Sequence, residues 1–444
     1  MKKIIVVSAG ILSLALFSCG TTSQASAKAK ESAVTKQTVS FVRPEKISVS
    51  QLPDGFASVG FAFKGDLNSS VTVRTKAELL SALRKGGVIY VNGMIDLSDG
   101  MLPEEAGGSN AALDAFVKKY SKFSTYKEYK DAYVAACTLS TEDSSKGPKS
   151  SLYETMHTLN LAYRDVITLT LRANTYLVGA NENSGFFGGS ISISGVSNVI
   201  IRNLTIRDAY DPFPHHEAND GYNAQHDTVS IQNSKNIWID HCTICDTRTV
   251  SHVLTAGKND EKWQTYDGLC DIANGCDNIT VSYCKFMNHD KTMLIGSSDS
   301  ESITPEKRHV TLHHNYFYNC GQRLPMVRLT TVHTYNNFFE VDSSAPYKSN
   351  YALGVRYNAL IHSENNYYGK GTGYSFSGAS GSKQGTVYSV GDIDKTSNGK
   401  KAGQFKTSKS PLFEIKYPYA TLSAEEVPDY VKANAGAGAI PVAQ

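Results

Sequence analysis

The sequence predicts an all-β fold, a right-handed parallel β-helix built from stacked coils of short strands. From about residue 196, short β-rich runs alternate with polar stretches, and the runs resemble one another. Such a repeat with irregular spacing is typical of a parallel β-helix, because each coil keeps its strands and varies its loops. Equivalent positions, 38, 42, 31, 22 and 29 residues apart, are Leu204, Cys242, Cys284, Asn315, Asn337 and Asn366.

The length of the chain agrees with a repeat fold. About 400 residues follow residue 40 without an obvious linker, which is more than one simple hydrophobic core usually serves. Two domains or an elongated solenoid would both suit this length, and the repeats favour one β-helix domain over residues 46–440. We expect Asn315, Asn337 and Asn366 to form a ladder at a bend between strands, where their side chains satisfy backbone groups of neighbouring coils.

Helices are predicted at both ends of the solenoid and in one insertion. Thr75 and Glu78 have capping-box spacing, so an N-terminal capping helix is expected to begin after Thr75 and reach about residue 85, with a strand at 88–91. Residues 99–165 are interpreted as a helical insertion, after which strand character resumes at 166–169. The helices of the insertion are expected at 111–120 and 126–137. A short terminal helix is expected at 427–434.

The N-terminus carries the features of an export signal. In residues 1–18, Lys2 and Lys3 precede an apolar run too short to span a membrane. Residues 16–19 resemble a bacterial lipobox, which implies cleavage before Cys19 and a lipid on that cysteine; ordinary secretion is the alternative. Residues 19–45 are mainly polar and predict a flexible tether. We therefore expect a secreted, periplasmic or cell-surface protein that is lipid-anchored through Cys19.

Composition excludes one class of partner and leaves the cysteines open. The 44 basic residues include Lys2 and Lys3, so 42 basic face 42 acidic residues after the signal peptide, and nothing indicates nucleic-acid binding. Seven cysteines follow Cys19, and the sequence does not determine their pairing. Cys242 and Cys245 resemble half a zinc knuckle, but without a second Cys-x-x-Cys a metal role is not expected. A monomer is expected.

Three aspartates are spaced as members of neighbouring coils. Asp267 and Asp271 are four residues apart, so both can leave one face of a strand, and Asp227 lies 40 residues before Asp267, about one coil away. Carboxylates this close repel one another unless a cation joins them, and an all-oxygen set favours calcium over zinc. The spacing predicts a Ca²⁺ site; three solvated surface carboxylates are the alternative.

Basic residues continue the series. Lys291 follows Asp271 by 20 residues and Arg323 follows Lys291 by 32, and both intervals are coil-sized. Arg323 and Arg328 flank Pro325 and are expected around a turn. A row of Lys and Arg beside a carboxylate-bound cation is complementary to a chain of uronic acids, because Arg can bind a carboxylate through two hydrogen bonds.

Several short motifs, each weak alone, form a specific set when taken in order. They are Asp208-Ala-Tyr-Asp-Pro-Phe-Pro214, Trp238-Ile-Asp-His241, Asp267-Gly-x-x-Asp271, Asn288-His-Asp-Lys291, Gly296-Ser-Ser-Asp299, His313-His-Asn315 and Gln322-Arg-Leu-Pro-Met-Val-Arg328. From about residue 51 to 438, the chain resembles the family 1 polysaccharide lyases of the pectate lyase type, particularly the calcium-dependent bacterial branch. It departs from them in lacking Gly-Gly after Gly55, in the helical insertion, and in Met326, where the family usually has Arg.

The resemblance implies an endo-acting pectate lyase. Such an enzyme cleaves α-1,4-linked polygalacturonate by calcium-assisted β-elimination and releases 4,5-unsaturated oligogalacturonides. Asp240 and His241 are assigned to structure. The roles implied by matching motif positions are primary Ca²⁺ binding for Asp227, Asp267 and Asp271, a second Ca²⁺ arriving with substrate for Asp220, substrate carboxylate binding for Lys291 and Arg328, and abstraction of the C5 proton for Arg323.

Arginine is an unusual base, because free arginine has a pKa of about 12.5–13.8. Calcium, Lys291 and Arg328 would each favour loss of the Arg323 proton, so activity is expected to rise toward alkaline pH. Lys291 loses a proton more readily and is the alternative base.

Three other functions compete with this interpretation. A pectin lyase acting on methyl-esterified chains would lack the calcium carboxylates and line its groove with tryptophan, whereas this chain keeps the carboxylates and has only two Trp. A polygalacturonase would need paired catalytic carboxylates, and its Asp-Asp and Gly-His-Gly strings are absent from the sequence. A surface lipoprotein that binds pectin without cleaving it would have no need of Arg323 as a base.

Overall fold

The computed structural model describes residues 41–138, 151–217, 220–248, 254–257, 260–345, 348–379, 383–399 and 401–443. The predicted signal peptide, Cys19 and the tether up to residue 40 lie outside these residues, so export and lipid attachment stay predictions. The end of the predicted tether contacts the domain, since the Phe41 ring stacks on His314 with centroids 5.4 Å apart. Among the described residues, none of the helices has both the length and the apolar character needed to cross a membrane.

The described residues form short strands and a few helices. The helices are α1 (Lys76–Leu83), α2 (Ala111–Tyr120), α3 (Tyr126–Thr138), α4 (Tyr153–Ile167) and α5 (Val427–Asn434), with 3₁₀ turns at Gly55–Ser58 and Pro305–Lys307. The strands are β1 (Ser70–Val73), β2 (Gly87–Val91), β3 (Met94–Asp96), β4 (Thr168–Thr170), β5 (Thr175–Gly179), β6 (Gly185–Phe187), β7 (Ser190–Ser194), β8 (Ser197–Arg202), β9 (Thr205–Arg207), β10 (His215–Glu217), β11 (Gly221–Asn223), β12 (Val229–Gln232), β13 (Lys235–Asp240), β14 (Thr243–Cys245), β15 (Thr255–Ala256), β16 (Glu261–Lys262), β17 (Cys270–Ala273), β18 (Asp277–Ser282), β19 (Lys285–Lys291), β20 (Leu294–Ile295), β21 (His309–His313), β22 (Tyr316–Gln322), β23 (Met326–Val327), β24 (Thr331–Tyr335), β25 (Phe338–Glu340), β26 (Leu353–Val355), β27 (Leu360–Glu364), β28 (Tyr367–Tyr368), β29 (Phe376–Gly378), β30 (Thr386–Val390), β31 (Ile393–Asp394), β32 (Lys401–Ala402) and β33 (Lys406–Thr407).

Three parallel sheets form the walls of the solenoid. Sheet 1 is ordered β1-β2-β5-β8-β13-β18-β21-β24-β27-β30-β33, sheet 2 is β3-β6-β9-β14-β19-β22-β25-β28-β31, and sheet 3 is β4-β7-β12-β17-β20-β23-β26-β29-β32. From β4 onward the chain visits sheet 3, sheet 1 and sheet 2 in turn, so neighbours in a sheet come from successive coils. Stacked aliphatic residues such as Ile237, Ile279, Val310 and Val332 fill the interior. The predicted right-handed parallel β-helix is confirmed.

The asparagine ladder lies at the bend between sheet 1 and sheet 2. Asn315 Oδ1 accepts a hydrogen bond from the backbone N–H of Cys284 at 2.9 Å, and Asn337 Oδ1 accepts one from Asn315 at 3.0 Å. Asn366 Oδ1 accepts from the backbone N–H of Asn337 at 2.9 Å, and Asp392 continues the series. The predicted ladder is confirmed, and its bonds run from coil to coil because each side chain reaches the backbone of the preceding coil.

Replacing Asn337 with Ala should destabilise the protein strongly. Besides its ladder bonds, the Asn337 amide donates to the carbonyls of Leu312 at 3.0 Å and Tyr335 at 3.1 Å. The substitution leaves several buried backbone groups without partners, each costing about 1–3 kcal/mol, so we expect a loss of about 3 kcal/mol or more in unfolding free energy by denaturant titration. The exposed Asn183→Ala variant is the control and should change it by less than about 0.5 kcal/mol. Equal small effects would contradict a stabilising ladder.

The helices agree with the predictions except at one boundary. In α1, Thr75 accepts a hydrogen bond from the backbone of Glu78 and the Glu78 carboxylate accepts one from that of Thr75, so the capping box is present. The predicted strand at 166–169 is wrong at its start, because α4 continues to Ile167 and β4 begins at Thr168. Ile167 extends the buried helical face of Tyr163, and this packing overrides its β-branched preference.

The insertion occupies the same corner as the loops of the site. It connects β3 of sheet 2 to β4 of sheet 3, and residues 208–228 and 246–269 also connect sheet 2 to sheet 3. Tyr129 and Tyr133 of α3 pack with Phe213 and Tyr222 of the first of these loops. The insertion therefore supports the loop that leads to Asp227.

The cysteines contribute to the core. In the described part of the chain, the seven cysteines after Cys19 are buried and no disulfide joins them. Cys242 and Cys284 occupy ladder positions, where their thiols lie 3.6 Å from the carbonyls of Ile201 and Ile239. Cys242 and Cys245 thus belong to the solenoid wall.

Candidate active site

The predicted site residues form a row across sheet 3. Asp227 lies just before β12, Asp271 lies within β17, Lys291 ends β19 just before β20, and Arg323 precedes β23. Because β12, β17, β20 and β23 are neighbours in sheet 3, successive coils bring these side chains to one surface. Residues separated by 96 positions in the sequence therefore share a site.

Two of the aspartates are half-buried on neighbouring coils. Asp227 Oδ1 accepts a hydrogen bond from the backbone of Gly268 at 3.1 Å, and Asp271 Oδ1 accepts one from Leu294 at 2.9 Å. Burial raises the pKa of Asp227, and the charge of Asp267 raises it further. Burial, Asp227 and Asp267 likewise raise the pKa of Asp271 well above its usual range. The three carboxylates are close enough to oppose one another's ionisation.

Asp267 reaches the site from a loop. The predicted geometry, with Asp267 and Asp271 on one face of a strand, is wrong, because β17 begins only at Cys270. The carbonyl of Asp267 lies 2.5 Å from His289 Nε2, and Asp246 lies 2.6 Å from the other ring nitrogen of His289. Burial alone would lower the pKa of His289, but Asp246 raises it above its usual value. This buried pair holds the loop, and no sequence signal pointed to it.

The donor set fits a calcium ion. The three residues offer only oxygen ligands, and two of them are half-buried with raised pKa values, so a cation would relieve their repulsion. They do not place one oxygen each within 4.8 Å of one another, because Asp267 is turned toward Lys291 at 2.8 Å. An all-oxygen donor set favours calcium over zinc, which prefers nitrogen and sulfur ligands.

Lys291 is held at the centre of the row. Its ammonium group donates to Asn223 Oδ1 at 2.8 Å and pairs with Asp267, and its residue is only 7 % exposed. Asn223 ends β11 of the small antiparallel hairpin and was not predicted as a site residue. The hairpin thus aims Lys291 at the carboxylates and leaves it adjacent to any bound anion.

Arg323 carries an unsatisfied donor. It precedes β23, which lies two strands from β17 in sheet 3, and its positive charge opposes the rise in the pKa of Asp271 that burial and the neighbouring aspartates cause. Arg323 has a φ of 60°, a conformation that is uncommon outside glycine, and the Met293 N–H donates to its carbonyl at 2.7 Å. Arg323 Nε is buried without a hydrogen-bond partner among the described residues. A ligand in the groove would satisfy it.

Two further arginines extend the row. Arg328 follows β23, and its guanidinium bonds to Asp299 at 3.0 Å and to the Gly296 carbonyl at 3.2 Å. Because Val327 pairs with Val355, Arg356 lies beside Arg328 on the next coil. Burial lowers the pKa of Arg356, and the charges of Arg328 and Arg323 lower it further, so the three guanidinium groups are neighbours. Sequence reasoning missed Arg356, although its 28-residue distance from Arg328 is coil-sized.

Asp220 pairs with a residue outside this row. It sits in the turn between β10 and β11, is about half exposed, and pairs with Lys262 at 3.5 Å. Its role with a second calcium stays a prediction.

The arrangement combines a cation site with cationic side chains in one groove. Carboxylates that suit Ca²⁺ lie next to Lys291, Arg323, Arg328 and Arg356. The surface therefore changes from acidic to basic along successive coils. Such a surface suits a polymer whose units each carry a carboxylate.

Known proteins with this fold and sequence are pectate lyases. The family model described as "Pectate lyase" matches residues 157–440. A pectate lyase of Bacillus subtilis strain 168 is 34% identical over 318 residues, which cover 68% of this chain and 71% of that protein.

Solved structures agree with this sequence similarity. A thermostable pectate lyase superposes with a TM-score of 0.72 at 30% identity, and a pectate lyase bound to a hexasaccharide with a TM-score of 0.70 at 28% identity. Both alignments cover 87% of this chain and 97% of the other. The match to more than half of the chain and the 34% identity establish that this protein belongs to the pectate lyase family of polysaccharide lyases.

Proposed function

We propose that this protein cleaves polygalacturonate by calcium-assisted β-elimination within the chain, with Arg323 as the base. The observation that carries the proposal is the row on consecutive coils, from the aspartates through Lys291 to Arg323 and Arg328. The hexasaccharide bound to a solved relative supports a saccharide chain in the corresponding groove. Asp220 belongs to the proposal only as a ligand of a second calcium.

The basic residues would hold the substrate carboxylates. Lys291 is already aimed into the row by Asn223, and Arg328 and Arg356 lie side by side on neighbouring coils. Arg328 gives one Nε–H to Asp299 and keeps further N–H donors for a uronate. These contacts would orient a galacturonate unit so that its C5 hydrogen faces Arg323.

Proton transfer to Arg323 would start the elimination. The C5–H bond breaks, its electron pair forms the C4=C5 double bond, and the C4–O bond breaks, with the leaving oxygen taking a proton from water. Ca²⁺ held by Asp227, Asp267 and Asp271 would supply positive charge beside the substrate carboxylate, where negative charge develops. Lys291 and Arg328 would act on the same charge. Because Arg323 must be neutral to accept the proton, the rate should rise toward alkaline pH.

Calcium should be needed both for activity and for full stability of the fold. With polygalacturonate as substrate, the unsaturated product is detected by the rise in ultraviolet absorbance. Excess chelator should abolish this rise, and added Ca²⁺ should restore it. Ca²⁺ should also raise the melting temperature, because it binds only the folded carboxylates. Asp271→Asn should lose both responses and melt higher than the calcium-free wild type, since one of the repelling half-buried charges is gone. Asp131→Asn, whose carboxylate is 64% exposed, is the matched control and should keep both.

The same assay separates the alternatives. A rate of product formation that is unchanged by chelator and is higher on methyl-esterified chains would favour a pectin lyase. Binding of polygalacturonate without any product across the pH range would leave a pectin-binding protein. Product analysis over time distinguishes cleavage within the chain from cleavage at its ends.

A further inference from the structure

Two histidines and a glutamate converge on the outer face of sheet 1, away from the aspartate row on sheet 3. His333 lies on β24, and His362 and Glu364 lie two positions apart on β27, the next strand of the sheet. His333 pairs in register with His362. Their neighbours Val332 and Ile361 belong to the core, so the two histidines face outward from the solenoid.

The ligand atoms of this cluster have the spacing of a metal site. One atom from each residue lies within 4.8 Å of the other two. Glu364 Oε2 is 3.6 Å from His333 Nε2 and 3.8 Å from His362 Nε2. These distances are too long for hydrogen bonds but near the ligand separation of about 3.4 Å that tetrahedral zinc–nitrogen bonds of about 2.0–2.1 Å produce.

His333 presents a buried ring nitrogen to the cluster. It is fully buried, and its Nε2 has no hydrogen-bond partner among the described residues. Its Nδ1 lies 2.6 Å from the Tyr417 hydroxyl, which in turn lies 2.7 Å from Thr311 Oγ1. Both bonds of this chain can run in either direction; binding of a metal through Nε2 requires the tautomer with the proton on Nδ1, and the Tyr417 hydroxyl can accept that proton.

The supporting side chains resemble those around a metal centre. Ligating histidines usually donate their second N–H to an outer group, and ligating carboxylates are themselves hydrogen-bonded. Tyr417 has this relation to His333, and the Tyr419 hydroxyl donates to Glu364 Oε2 at 2.8 Å. Both tyrosines come from the segment that precedes α5, so that segment covers the cluster.

We propose that His333, His362 and Glu364 bind one divalent transition-metal ion of the zinc class. Two imidazoles and one carboxylate select zinc over calcium, because calcium prefers oxygen ligands alone. The three residues are at most 5 % exposed, so no polymer reaches the ion and its role is structural. The ion would join two coils to the C-terminal segment.

Metal binding to untagged, full-length protein tests the proposal. The protein is stripped with chelator, returned to excess Ca²⁺ so that the aspartates are occupied, and titrated with Zn²⁺. We expect one zinc per chain and a higher melting temperature. X-ray absorption of the zinc protein should show nitrogen and oxygen ligands with imidazole scattering, and Co²⁺ should give the visible bands of a tetrahedral site.

Variants assign the site. The His333→Gln/His362→Gln double variant should lose at least 100-fold in zinc affinity, and the milder Tyr419→Phe should lose about 10–100-fold because it removes a supporting hydrogen bond. His157→Gln, in α4, and Asp271→Asn are controls that should bind zinc like the wild type. Unchanged zinc affinity in the double variant would overturn the proposal. So would wild-type protein that binds no zinc, a result that stands even if the variants fail to fold.

Discussion

Arg323→Ala is expected to lower kcat on polygalacturonate by about 10²–10⁴-fold, the range that general-base catalysis contributes. The Arg323 guanidinium keeps a buried Nε without a hydrogen-bond partner among the described residues, so its loss removes the proposed proton acceptor rather than a structural bond. Initial rates of product absorbance, measured at saturating substrate with Ca²⁺ present, report the change. The exposed Arg172→Ala variant should retain wild-type rates.

The pH profile separates a base from a binding residue. Arg323→Lys should keep part of the activity and shift the alkaline rise of kcat to lower pH, because an amine loses its proton more readily than a guanidinium. Lys291→Ala should raise KM for the substrate, lower kcat and shift the alkaline rise to higher pH, because it removes a positive charge that favours loss of the Arg323 proton. If Arg323→Ala stays active and Lys291→Ala abolishes kcat instead, Lys291 is the base.

Asp240→Asn is expected to cost about 3–5 kcal/mol of unfolding free energy, because it leaves a buried positive charge without its partner. Arg202 and Asp240 are each 2% exposed and pair at 2.7 Å. Arg202 also donates to Gln51 Oε1 at 2.7 Å and stacks over Trp238 at 4.2 Å, so it ties the N-terminal segment to sheet 1. Denaturant titration measures the loss, and Asp131→Asn should change stability by less than about 0.5 kcal/mol.

A double variant and a pH series test whether the broken ion pair causes the loss of stability in Asp240→Asn. Arg202→Met/Asp240→Asn should recover part of the loss, because it removes the stranded charge. Burial alone would raise the pKa of Asp240, but His241 and Arg202 hold it well below its usual range. Its stabilisation is therefore complete above the unfolded pKa of about 3.9 and is lost as pH falls below that value. Below this pH, the unfolding free energy of the wild type should fall more steeply than that of Asp240→Asn. Parallel plots of unfolding free energy against pH would contradict the ion pair.

The local elements could be predicted because their signals are local. The capping box of α1 and the bounds of α5 follow from residue types at short spacing, and both are confirmed. The asparagine ladder is also confirmed, but it was recognisable through the coil repeat rather than through short spacing. The boundary at Ile167 could not be predicted, because a β-branched residue joined a helix through the packing of the insertion. Parallel strands far apart in sequence were recognisable only through their repeat.

The sequence by itself determined the stacked-coil architecture, the family and the row of aspartates, lysine and arginines, because repeat spacing and ordered motifs survive as a linear pattern. Only the tertiary structure decided how these side chains meet. Sheet pairing brought Arg356 beside Arg328, a loop rather than a strand carried Asp267, and His289 with Asp246 held that loop. Such contacts depend on which coil lies above which and on loop paths, and no local rule of side-chain spacing encodes either.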